Sequence, residues 1–395
     1  MDGVTPSSNR VHMVIKTSAL EYDDRLRKEV ASCQELGFEV SITCMLDKNH
    51  VAEGSIWGGA DFKSVSLVCR RLFPSHKFLA LHLFEFVLRY LFASFVRSQK
   101  VGKLRIVWLH DPVLMPLLPI LALQRFFGAV DRIVWDQHEL PPEKLVRSRI
   151  LKPVLRWLFG VPDCLIAANQ DRVSYLDACR ILPDNSQLRI LHNYADDEYA
   201  AQPKMELETD ISNWLNGEPY ILVQSGGTSL RNAEALFEAL FLPDWPDLKV
   251  IFVGGADTGI INSFKILYST SFDRRVWIHG KVPQFELARF ADNAVGSIIL
   301  YRSSTPNQIY CEPNRMYQAL CRGIPVIVGD NPPMADVIKA TGAGIVLSGD
   351  GRDSLMLALA AKKLISDETY RKSARLTSGQ FRWKSQHEVV AGCLR

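Results

Sequence analysis

The chain has 395 residues, of which 47% are hydrophobic, 23% charged and 10% aromatic, and this composition excludes disordered, collagen-like and disulfide-framework proteins. Its 46 Lys and Arg residues against 43 Asp and Glu leave a net charge of +3, which is too balanced for a general nucleic-acid binder. None of the eight cysteines occurs as CxxC, and the first residues contain no apolar signal region. We therefore expect reduced thiols, a cytoplasmic protein and, at this length, two domains.

Strand-like and helix-like stretches alternate through the first half of the chain. The predicted strands are rich in Val and Ile without polar alternation, as is typical of strands covered on both faces. They cover residues 12–16, 38–44, 105–110, 132–136, 164–168 and 188–192. The helices predicted between them include residues 24–36, 78–98 and 170–179. This rhythm predicts a doubly wound parallel sheet.

A polar stretch without strand character, residues 201–217, predicts a linker, and the same alternation then resumes. The strands predicted in the second half are 220–224, 249–253, 276–279, 295–300, 325–328 and 344–347. Helices are predicted near 232–240, 283–291, 314–322, 333–341 and 353–366. We therefore predict an α/β protein with two Rossmann-like doubly wound domains facing across a cleft, where the carboxyl ends of the strands bind ligands.

Neither half contains the glycine pattern of a common nucleotide-binding loop. GxGxxG does not join the first strand and helix of either domain, which disfavours a dinucleotide oxidoreductase. GxxxxGK[ST] is also absent from the sequence, which disfavours a P-loop NTPase.

The most informative segment is YCEPNRMYQALCRGIPVIVGD, residues 310–330. A helix is predicted to begin near Pro313 or Asn314 and to end at Gly323, before a buried strand. The start of such a helix presents free backbone N–H groups and a positive dipole, which suit a diphosphate. Gln318 lies one turn further on, within reach of a sugar hydroxyl. An ordinary helix–strand unit with a capping Pro and Gly is the structural alternative.

The pattern PNRxYQALxxGxPV, residues 313–326, resembles the donor-site segment of GT-B glycosyltransferases, in particular the retaining enzymes of glycosyltransferase family 4. Further matches follow the family order along the chain. They are DR at 24–25, LGFEV at 36–40, HDP at 110–112, DQHEL at 136–140, LHNY at 191–194, QSGGTSLRN at 224–232 and FRW at 381–383. The resemblance implies an acceptor domain over 1–200, a donor domain over 218–375 and a terminal helix, 376–395, that packs back on the first domain.

The resemblance assigns the donor site to the second domain. The implied donor-binding residues are Gly226, Gly227, Arg231, His279, Gly280, Val282, Tyr310, Asn314, Arg315 and Gln318. Among them, Arg231 corresponds to a diphosphate contact, Gln318 to a ribose contact and 279–282 to the base site. Arg231 also stands out by its position, because a cation near a predicted helix start is unfavourable unless an anion binds nearby.

In the first domain the resemblance implies a catalytic histidine that touches the donor sugar, and His138, which follows the predicted strand 132–136, takes that position. The implied acceptor contacts lie at neighbouring strand ends and at the start of the first helix. They are Asp24, Arg25, His110, Asp111, Asp136 and Glu139. The structural alternative is that these residues are ordinary strand and helix caps.

The sequence departs from the family pattern in the donor segment. The two glutamates of the family's E-x7-E motif correspond to Tyr310 and Gln318, and Gly226 occupies the position of a phosphate-binding Arg. Gln318 retains an acceptor and adds donors, so a neutral hydrogen bond to ribose is still available. Glu312, close to Tyr310, is a candidate for the missing catalytic carboxylate.

Residues 62–105 combine cations and aromatic residues with a single glutamate, Glu85. The cations are Lys63, Arg70, Arg71, Lys77, Arg89, Arg97, Lys100, Lys103 and Arg105. A basic, aromatic-rich helix is attracted to anionic lipid, so we predict peripheral association with the inner face of a membrane. A core helix with snorkelling cations is the alternative. Charged residues or prolines interrupt the longest apolar stretches, so no membrane span is predicted.

The resemblance implies a retaining glycosyltransferase that moves a sugar from a nucleotide-diphosphate donor to a hydroxyl acceptor, a glycan or a lipid-linked molecule, in glycan or polysaccharide biosynthesis. We expect no nucleic-acid partner, no metal and no other cofactor, since no Asp-x-Asp pair is present to hold a metal. The departures in the donor segment favour an alternative, a non-catalytic GT-B-like subunit that binds a glycan precursor or a partner glycosyltransferase. An epimerase on the same scaffold is a more distant alternative.

Overall fold

Two parallel sheets organise the chain, and each belongs to a separate compact unit. The structure is a computed structural model that describes residues 9–46, 53–97, 105–184 and 187–395. The N-terminal unit comprises Met1–His192 together with Gln386–Arg395, and the C-terminal unit comprises Asn193–Ser385. Each unit is an α/β structure, as the alternation of strands and helices predicts.

The N-terminal unit is built on an eight-stranded sheet of order β3-β4-β2-β1-β5-β6-β7-β8. Its strands are β1 (Arg10–Thr17), β2 (Glu39–Leu46), β3 (Glu53–Ile56), β4 (Ala60–Ser64), β5 (Arg105–His110), β6 (Arg132–Gln137), β7 (Cys164–Ala167) and β8 (Leu188–Ile190). All neighbouring strands are parallel except β3, which pairs antiparallel with β4. Parallel strands need crossover connections, and helices supply most of them here.

The helices of this unit are α1 (Asp24–Glu35), α2 (Val68–Leu72), α3 (Leu79–Arg97), α4 (Leu118–Phe126), α5 (Glu143–Val146), α6 (Lys152–Phe159) and α7 (Gln170–Ala178). Side chains cap two of the helices that the sequence predicts. The Asp23 carboxylate accepts from the backbone N–H of Leu26 at the start of α1, and Asn169 accepts from that of Arg172 at the start of α7. These caps satisfy backbone donors that would otherwise lack intrahelical partners.

The β3–β4 hairpin is the part of this sheet that the sequence analysis misses. Its strands are short and mostly exposed, and they lie at one edge of the sheet, so they lack the continuous apolar run of a central strand. The turn between them contains Trp57, Gly58 and Gly59, all with positive φ. Such a turn is a local hairpin signal, whereas the strands themselves carry little hydrophobic pattern.

The C-terminal unit is built on a six-stranded parallel sheet of order β11-β10-β9-β12-β13-β14. Its strands are β9 (Tyr220–Gln224), β10 (Lys249–Val253), β11 (Val276–His279), β12 (Gly296–Ile299), β13 (Val326–Val328) and β14 (Gly344–Val346). Alternate residues of β9 enter two different hydrophobic clusters, Tyr220 and Leu222 in one, Ile221 and Val223 in the other. Both faces of the sheet are therefore covered, which explains the unbroken apolar runs.

The helices of this unit are α8 (Asp197–Ala201), α9 (Thr209–Leu215), α10 (Ala233–Ala239), α11 (Thr258–Tyr268), α12 (Thr270–Arg275), α13 (Leu287–Asn293), α14 (Pro306–Ile309), α15 (Asn314–Cys321), α16 (Pro332–Thr341), α17 (Ser354–Ser366) and α18 (Glu368–Thr377). The helix predicted to begin at Pro313 or Asn314 is α15, which begins at Asn314.

Residues 201–217 do not form the separate linker that their polar composition predicts. The segment contains α9, and Ile211 and Leu215 are buried in the same hydrophobic cluster as Tyr199 and Tyr220. The stretch contains few apolar side chains, and these face inward. Its average composition is polar and therefore does not reveal the buried helix. The boundary between the units lies at His192 and Asn193 rather than near residue 200.

A buried arginine ties this segment to the rest of the C-terminal unit. Arg322 donates Nη1 to the backbone oxygens of Tyr199, Ala200 and Gln202, at 3.3, 3.1 and 2.7 Å. Its Nε and Nη2 bind the two carboxylate oxygens of Asp292 at 2.6 and 2.5 Å, and both side chains are 8% exposed. Three carbonyls and a bidentate carboxylate therefore fix the start of the unit on α15 and α13.

The chain returns to the N-terminal unit at its end. A 3₁₀ turn, Trp383–Gln386, precedes α19 (His387–Leu394), and the backbone N–H of His192 donates to the Gln386 side chain at 3.0 Å. α19 packs against α1, β6 and β8. Of the predicted terminal helix, 376–395, the part from Gln386 onward belongs to the N-terminal unit, whereas the part before it ends the C-terminal unit.

We expect Asp292→Ala to lower the free energy of unfolding by about 3 kcal/mol, because it leaves the buried Arg322 guanidinium without its counter-charge. Urea unfolding measures this change. Lys372→Ala is the control, since Lys372 pairs with Glu368 while both side chains are more than two thirds exposed, and its effect should stay below about 0.5 kcal/mol. Equal effects of the two substitutions would contradict a structural role for the buried pair.

Candidate functional site

Polar side chains meet at the carboxyl ends of β5 and β6 in the N-terminal unit. His110 ends β5 and lies opposite Asp136 in the parallel pairing, and Asp111 and His138 follow within two residues. Adjacent parallel strands end at the same edge of a sheet, so the sequence order of these residues brings them together. Asp111 has a φ of 64°, a left-handed conformation that is uncommon for a residue with a Cβ.

Arg25 in α1 binds Asp136 from the helix side of the sheet. Its Nε and Nη2 donate to the two carboxylate oxygens at 2.6 and 2.8 Å, and its Nη1 donates to the Leu191 backbone oxygen at 3.0 Å. Asp136 is fully buried and Arg25 is 4% exposed. Burial alone would raise the pKa of Asp136, but the Arg25 charge and the hydrogen bonds to Asp136 hold it well below its usual range. Asp136 is therefore a permanent anion.

His138 lies between two carboxylates. Its Nε2 is 3.2 Å from Asp111 Oδ1, and its Nδ1 is 3.6 Å from Asp136 Oδ2. Burial alone would lower the pKa of His138, but the negative charges of Asp111 and Asp136 raise it to about 9. Burial raises the pKa of Asp111 to about 7. The His138 ring therefore carries a positive charge at neutral pH, and its side chain is 23% exposed.

His110 has the opposite character. It is fully buried, and burial lowers its pKa to about 3, so it is neutral. Its Nδ1 is 3.5 Å from Glu29 and 3.7 Å from Asp136. Burial and the Asp136 charge raise the pKa of Glu29 well above its usual range.

Internal pairs account for several of the residues expected to contact an acceptor. Asp24 binds Lys28 and Arg27 at 2.9 and 2.7 Å within α1, and Arg25 binds Asp136. The members of this group with more solvent access are Asp111 and Glu139, in addition to the catalytic candidate His138. Acceptor contact by Asp24, Arg25, His110 and Asp136 stays a prediction, and their packing has a structural explanation without an acceptor.

His110, Asp136 and His138 are a group within the described residues whose ligand atoms lie close enough to hold a metal ion, all within 4.8 Å of one another. Both oxygens of Asp136, however, already accept from the Arg25 guanidinium. A cation is therefore already present at the carboxylate that a metal would need, and we assign no metal to this group.

The C-terminal unit gathers two cations around one tyrosine. Tyr301 follows β12, and the guanidinium carbons of Arg231 and Arg315 lie 5.3 and 4.7 Å from the centre of its ring. Arg315, the second residue of α15, donates Nη1 to the Gln224 backbone oxygen at 2.5 Å, and Arg231 donates to the next carbonyl, that of Ser225. Both cations therefore lie at the carboxyl end of β9, next to β12.

No carboxylate pairs with either of these arginines within the part of the chain that the structure describes. Arg315 is 7% exposed, and its Nε and Nη2 have no hydrogen-bond partner. Burial lowers the pKa of Arg315 to about 10, so it still carries its charge at pH 7. Buried cations are normally paired, and an unpaired one indicates a place for an anion.

The predicted glycines pack against the neighbouring loop. A Cβ at Gly227 would lie 2.0 Å from the Ala256 Cβ, and one at Gly226 would lie 2.3 Å from Val223 Cγ1. Glycine at these two positions therefore permits a close approach of this loop to its own chain. Any contact of its backbone with a ligand stays a prediction.

The remaining donor candidates lie in α15 and in the segment that precedes it. Asn314 begins α15, and Gln318 is buried one turn later. Tyr310 follows α14 directly. Glu312 is buried, and its carboxylate accepts from the Tyr317 hydroxyl at 2.7 Å, so it is engaged within the unit. Its catalytic assignment stays a prediction that this hydrogen bond does not favour.

The predicted base site follows β11. His279 ends this strand, its Nε2 lies 3.5 Å from the Glu208 carboxylate, and its ring packs edge-on against Phe290. A Cβ on Gly280 would meet no atom within 4 Å, so the backbone there is open on that side. Val282 is partly buried against the hydrophobic cluster.

Sequence reasoning misses Tyr301 and Arg302. Arg302 donates to the Asn232 side chain at 3.1 Å and to Glu234 at 3.3 Å, and so it positions the turn that carries Arg231. The signal that would have identified both is the YR pair directly after the strand predicted at 295–300. The pair follows a strand end, as several of the predicted site residues do.

The fold that these two units define is GT-B, the two-domain Rossmann-like fold of many glycosyltransferases. Sucrose-phosphate synthase from Thermosynechococcus elongatus matches over 97% of this chain and 98% of its own, with a TM-score of 0.71 and 16% identity. The UDP-forming α,α-trehalose-phosphate synthase from Burkholderia vietnamiensis matches over 98% and 100%, with a TM-score of 0.70 and 10% identity. Anabaena HepE, solved in complex with UDP, matches over 98% and 99%, with a TM-score of 0.64 and 14% identity.

Comparisons of sequence give no such relatives. No family model matches the chain, and no curated protein matches it significantly. The similarity to solved structures therefore rests on the fold.

We expect the stability of the protein to depend on the charge of His138. A histidine whose pKa is about 9 in the folded state, against an ordinary 6.5, stabilises the fold fully below pH 6.5, and this contribution is lost as the pH rises through 9. His138→Gln removes the titration. Differential scanning calorimetry should therefore show a Tm deficit of the variant that is largest near pH 6 and shrinks by about pH 10. A deficit that does not change with pH would contradict the ion pairing of His138.

Proposed function

We propose that the protein is a retaining glycosyltransferase that moves a sugar from a nucleotide-diphosphate donor to a hydroxyl acceptor. The observation that carries the proposal is the pair of arginines, Arg231 and Arg315, that flank Tyr301 without a carboxylate partner among the described residues. A diphosphate supplies the negative charges that this arrangement lacks. Guanidinium groups bind phosphate oxygens through short charge-assisted hydrogen bonds.

The start of α15 strengthens the same site. Arg315 is its second residue, so the first backbone N–H groups of the helix and its positive dipole end lie beside the buried guanidinium. In the family pattern an Arg and a Lys before the first helix of the donor domain bind the phosphates, and here Gly226 occupies the first of these positions and Arg231 the second. In the proposal Arg315 takes over the missing charge.

The rest of the donor extends from the diphosphate to β11. We assign the ribose to Gln318, one turn into α15, and the base to the open backbone at His279, Gly280 and Val282. The proposal names no base. The similarity to a UDP-forming synthase and to a protein solved in complex with UDP supports a nucleotide donor, and UDP is the first nucleotide to test.

The N-terminal unit contributes a fixed positive charge in this proposal. Loss of a nucleotide diphosphate leaves negative charge on the departing group, and a preorganised cation stabilises that charge at little reorganisation cost. His138 is held as such a cation by Asp111 and Asp136, and Arg25 in turn holds Asp136. His138 therefore acts in the proposal through charge and hydrogen bonding to the donor sugar, since a protonated ring is unavailable as a general base.

The finer assignments rest on the resemblance of the sequence motifs. Membership of glycosyltransferase family 4, retention at the anomeric carbon and a role in glycan or polysaccharide biosynthesis are proposals of this kind. The structurally similar enzymes include a sucrose-phosphate synthase and a trehalose-phosphate synthase, which suggests sugar phosphates as further acceptors to test.

The alternative of a non-catalytic subunit has one observation in its favour. The Glu312 carboxylate, which is the candidate replacement for the family's catalytic glutamate, is occupied by the Tyr317 hydroxyl. Such a subunit would bind a nucleotide or glycan without turnover. An assay without acceptor separates an enzyme from this alternative. An enzyme slowly hydrolyses the bound nucleotide sugar, which is measured as release of the nucleoside diphosphate, whereas the subunit does not.

We expect UDP, GDP or ADP, or one of their sugar conjugates, to raise the Tm of the protein in a thermal-shift screen. For the nucleotide that binds, Arg231→Ala should weaken binding by at least about 1 kcal/mol and Arg315→Met by about 1.5–3 kcal/mol in calorimetric titration. Arg315→Met also removes an unpaired buried charge, so the Tm of the unliganded variant should not fall.

The control for this experiment is Arg274→Ala, which removes an exposed arginine at the end of α12 in the same unit. It should leave nucleotide binding unchanged. Unchanged affinity in Arg231→Ala and Arg315→Met would remove both arginines from the site, and the absence of binding by any nucleotide would overturn the proposed function.

We further propose that the N-terminal unit binds anionic membranes through α2 and α3. The two helices expose a group of large apolar side chains, with Leu72 68% and Phe84 63% exposed. The others are Val68, Phe73, Phe78, Leu81, Leu88 and Leu91. Exposed apolar surface of this extent on one helical hairpin marks an interaction site, and Arg71 and Lys77 beside it favour an anionic one.

Several cations of this segment form hydrogen bonds or ion pairs within the protein, so fewer of them are available to bind anionic lipid than the composition predicts. Arg70 is buried and donates to the Leu46 backbone oxygen, and Arg89 pairs with Glu85 at 2.7 Å. Lys63 pairs with Glu53 and Arg105 with Asp131. Glu85 also accepts from the backbone N–H groups of Val68 and Cys69, so this residue of α3 caps the start of α2. Lys100 and Lys103 lie outside the described residues, as does the side chain of Arg97.

Within the described residues, no helix has both the length and the apolar character that crossing a bilayer requires. Membrane binding in this proposal is therefore interfacial, by apolar contact with a smaller electrostatic contribution.

We expect the protein to sediment with vesicles that contain anionic phospholipid, and to remain partly bound in 0.5 M salt, because apolar contacts are not screened. Leu72→Asp combined with Phe84→Asp should abolish sedimentation. Ile266→Asp, which changes an exposed apolar residue of the C-terminal unit, is the control and should sediment like the wild type. Failure of the wild type to sediment at low salt would defeat the membrane proposal.

A further inference from the structure

Two buried cysteines meet where the end of the chain packs on the N-terminal sheet. Cys164 is the first residue of β7, and Cys393 is the last residue but one of α19. Their sulfur atoms are 3.4 Å apart, and neither residue is exposed to solvent. All eight cysteines are free thiols within the described part of the chain. A disulfide requires the sulfur atoms to approach to about 2.0 Å, a further movement of about 1.4 Å.

Two arginines surround this thiol pair. The Arg189 guanidinium interacts with the Cys164 sulfur, and Arg132 donates Nε to the Cys393 backbone oxygen at 2.7 Å. The guanidinium also lies directly against α19, because a Cβ at Gly392 would be only 2.6 Å from Arg189 Cζ. Glycine at this position therefore permits Arg189 to reach the two sulfur atoms.

The groups around the two thiols shift their pKa values in opposite directions. The hydrogen bond between the two thiols, together with the charges of Arg189 and Arg132, lowers the pKa of Cys164. The same hydrogen bond and burial raise the pKa of Cys393 well above its usual range. Cationic neighbours stabilise a thiolate, and the thiolate is the reactive form of cysteine.

Other buried cysteines of the chain lack this arrangement. Burial raises the pKa of Cys44 and of Cys321 to about 12, and burial and the Glu29 charge raise that of Cys33 well above its usual range. These thiols are expected to be inert. The pair at the terminal helix is therefore distinct among the described cysteines in having both a neighbouring thiol and neighbouring cations.

We propose that Cys164 and Cys393 are an oxidation site at which a peroxide forms a disulfide between β7 and the terminal helix. The Cys164 thiolate attacks one oxygen of hydrogen peroxide, so that an S–O bond forms, the O–O bond breaks and the other oxygen leaves as hydroxide. The product is a Cys164 sulfenic acid. The Cys393 sulfur then attacks the Cys164 sulfur, so that the S–S bond forms, the S–O bond breaks and water leaves with the Cys393 proton. Overall two thiols are oxidised by two electrons and the peroxide is reduced to two waters.

Local opening of α19 makes this reaction accessible. It exposes both sulfur atoms to a small oxidant without unfolding the sheet. The disulfide then fixes α19 on β7. It also closes a covalent loop that contains the whole C-terminal unit, and long loops gain the most from such closure in the chain-entropy description. This inference does not depend on the proposed transferase activity.

The test oxidises the full chain with hydrogen peroxide, blocks remaining thiols with iodoacetamide and analyses a tryptic digest by mass spectrometry without reduction. We expect a cross-linked species that joins residues 157–172, which contain Cys164, to residues 385–395, which contain Cys393. Dithiothreitol should release the two peptides. The oxidised wild type should have a Tm at least about 3 °C above that of the reduced protein.

Variants separate this reaction from general oxidation. Cys393→Ser should abolish both the cross-link and the Tm increase, and Arg189→Gln should slow the cross-linking at least about threefold because it removes a cation from the thiolate. Cys44→Ser, at a buried thiol in β2 of the same unit, should behave like the wild type. Recovery of the two wild-type peptides only in alkylated form, or cross-linking of Cys164 to a different cysteine, would overturn the proposal.

Discussion

The geometry of parallel sheets is the constraint on which both candidate sites depend. Neighbouring parallel strands end at the same edge, so residues far apart in the sequence meet there. In the N-terminal unit this edge brings Asp111 and His138 together, and in the C-terminal unit it brings Arg231 and Tyr301 together. The helices that follow the strands then add Arg25 and Arg315.

The two edges differ in their charge balance. At the N-terminal edge the charged groups of Asp111, Asp136 and His138 each have a counter-charge within hydrogen-bond or ion-pair distance, and the buried Arg25–Asp136 pair completes the set. At the C-terminal edge two guanidinium groups share an aromatic ring and two backbone carbonyls, with no acid paired to them in the described structure. The first arrangement is complete by itself, whereas the second lacks an anion, and this contrast supports the proposal of a donor site in the C-terminal unit.

The sequence predicts the central strands well and the polar networks poorly. Strands such as β5, β9 and β10 are found at the predicted residues, because burial on both faces requires an uninterrupted apolar run. The edge hairpin β3–β4 and helix α9 are missed, since exposed strands and short half-buried helices carry little pattern. The partners of Asp136 and Arg315 are beyond any sequence argument without the fold, because Arg25 lies 111 residues from Asp136 and Gln224 lies 91 residues from Arg315.

The path of the chain has a consequence for biosynthesis. The C-terminal unit is inserted between β8 and α19 of the N-terminal unit, and α19 covers parts of α1 and β6. The N-terminal strands are synthesised first, yet their unit lacks α19 until the whole C-terminal unit has been made. The surfaces of α1 and β6 that α19 covers therefore stay exposed while nearly two hundred residues of the C-terminal unit are synthesised and fold. A chain that terminates before α19 thus lacks part of the unit that was synthesised first.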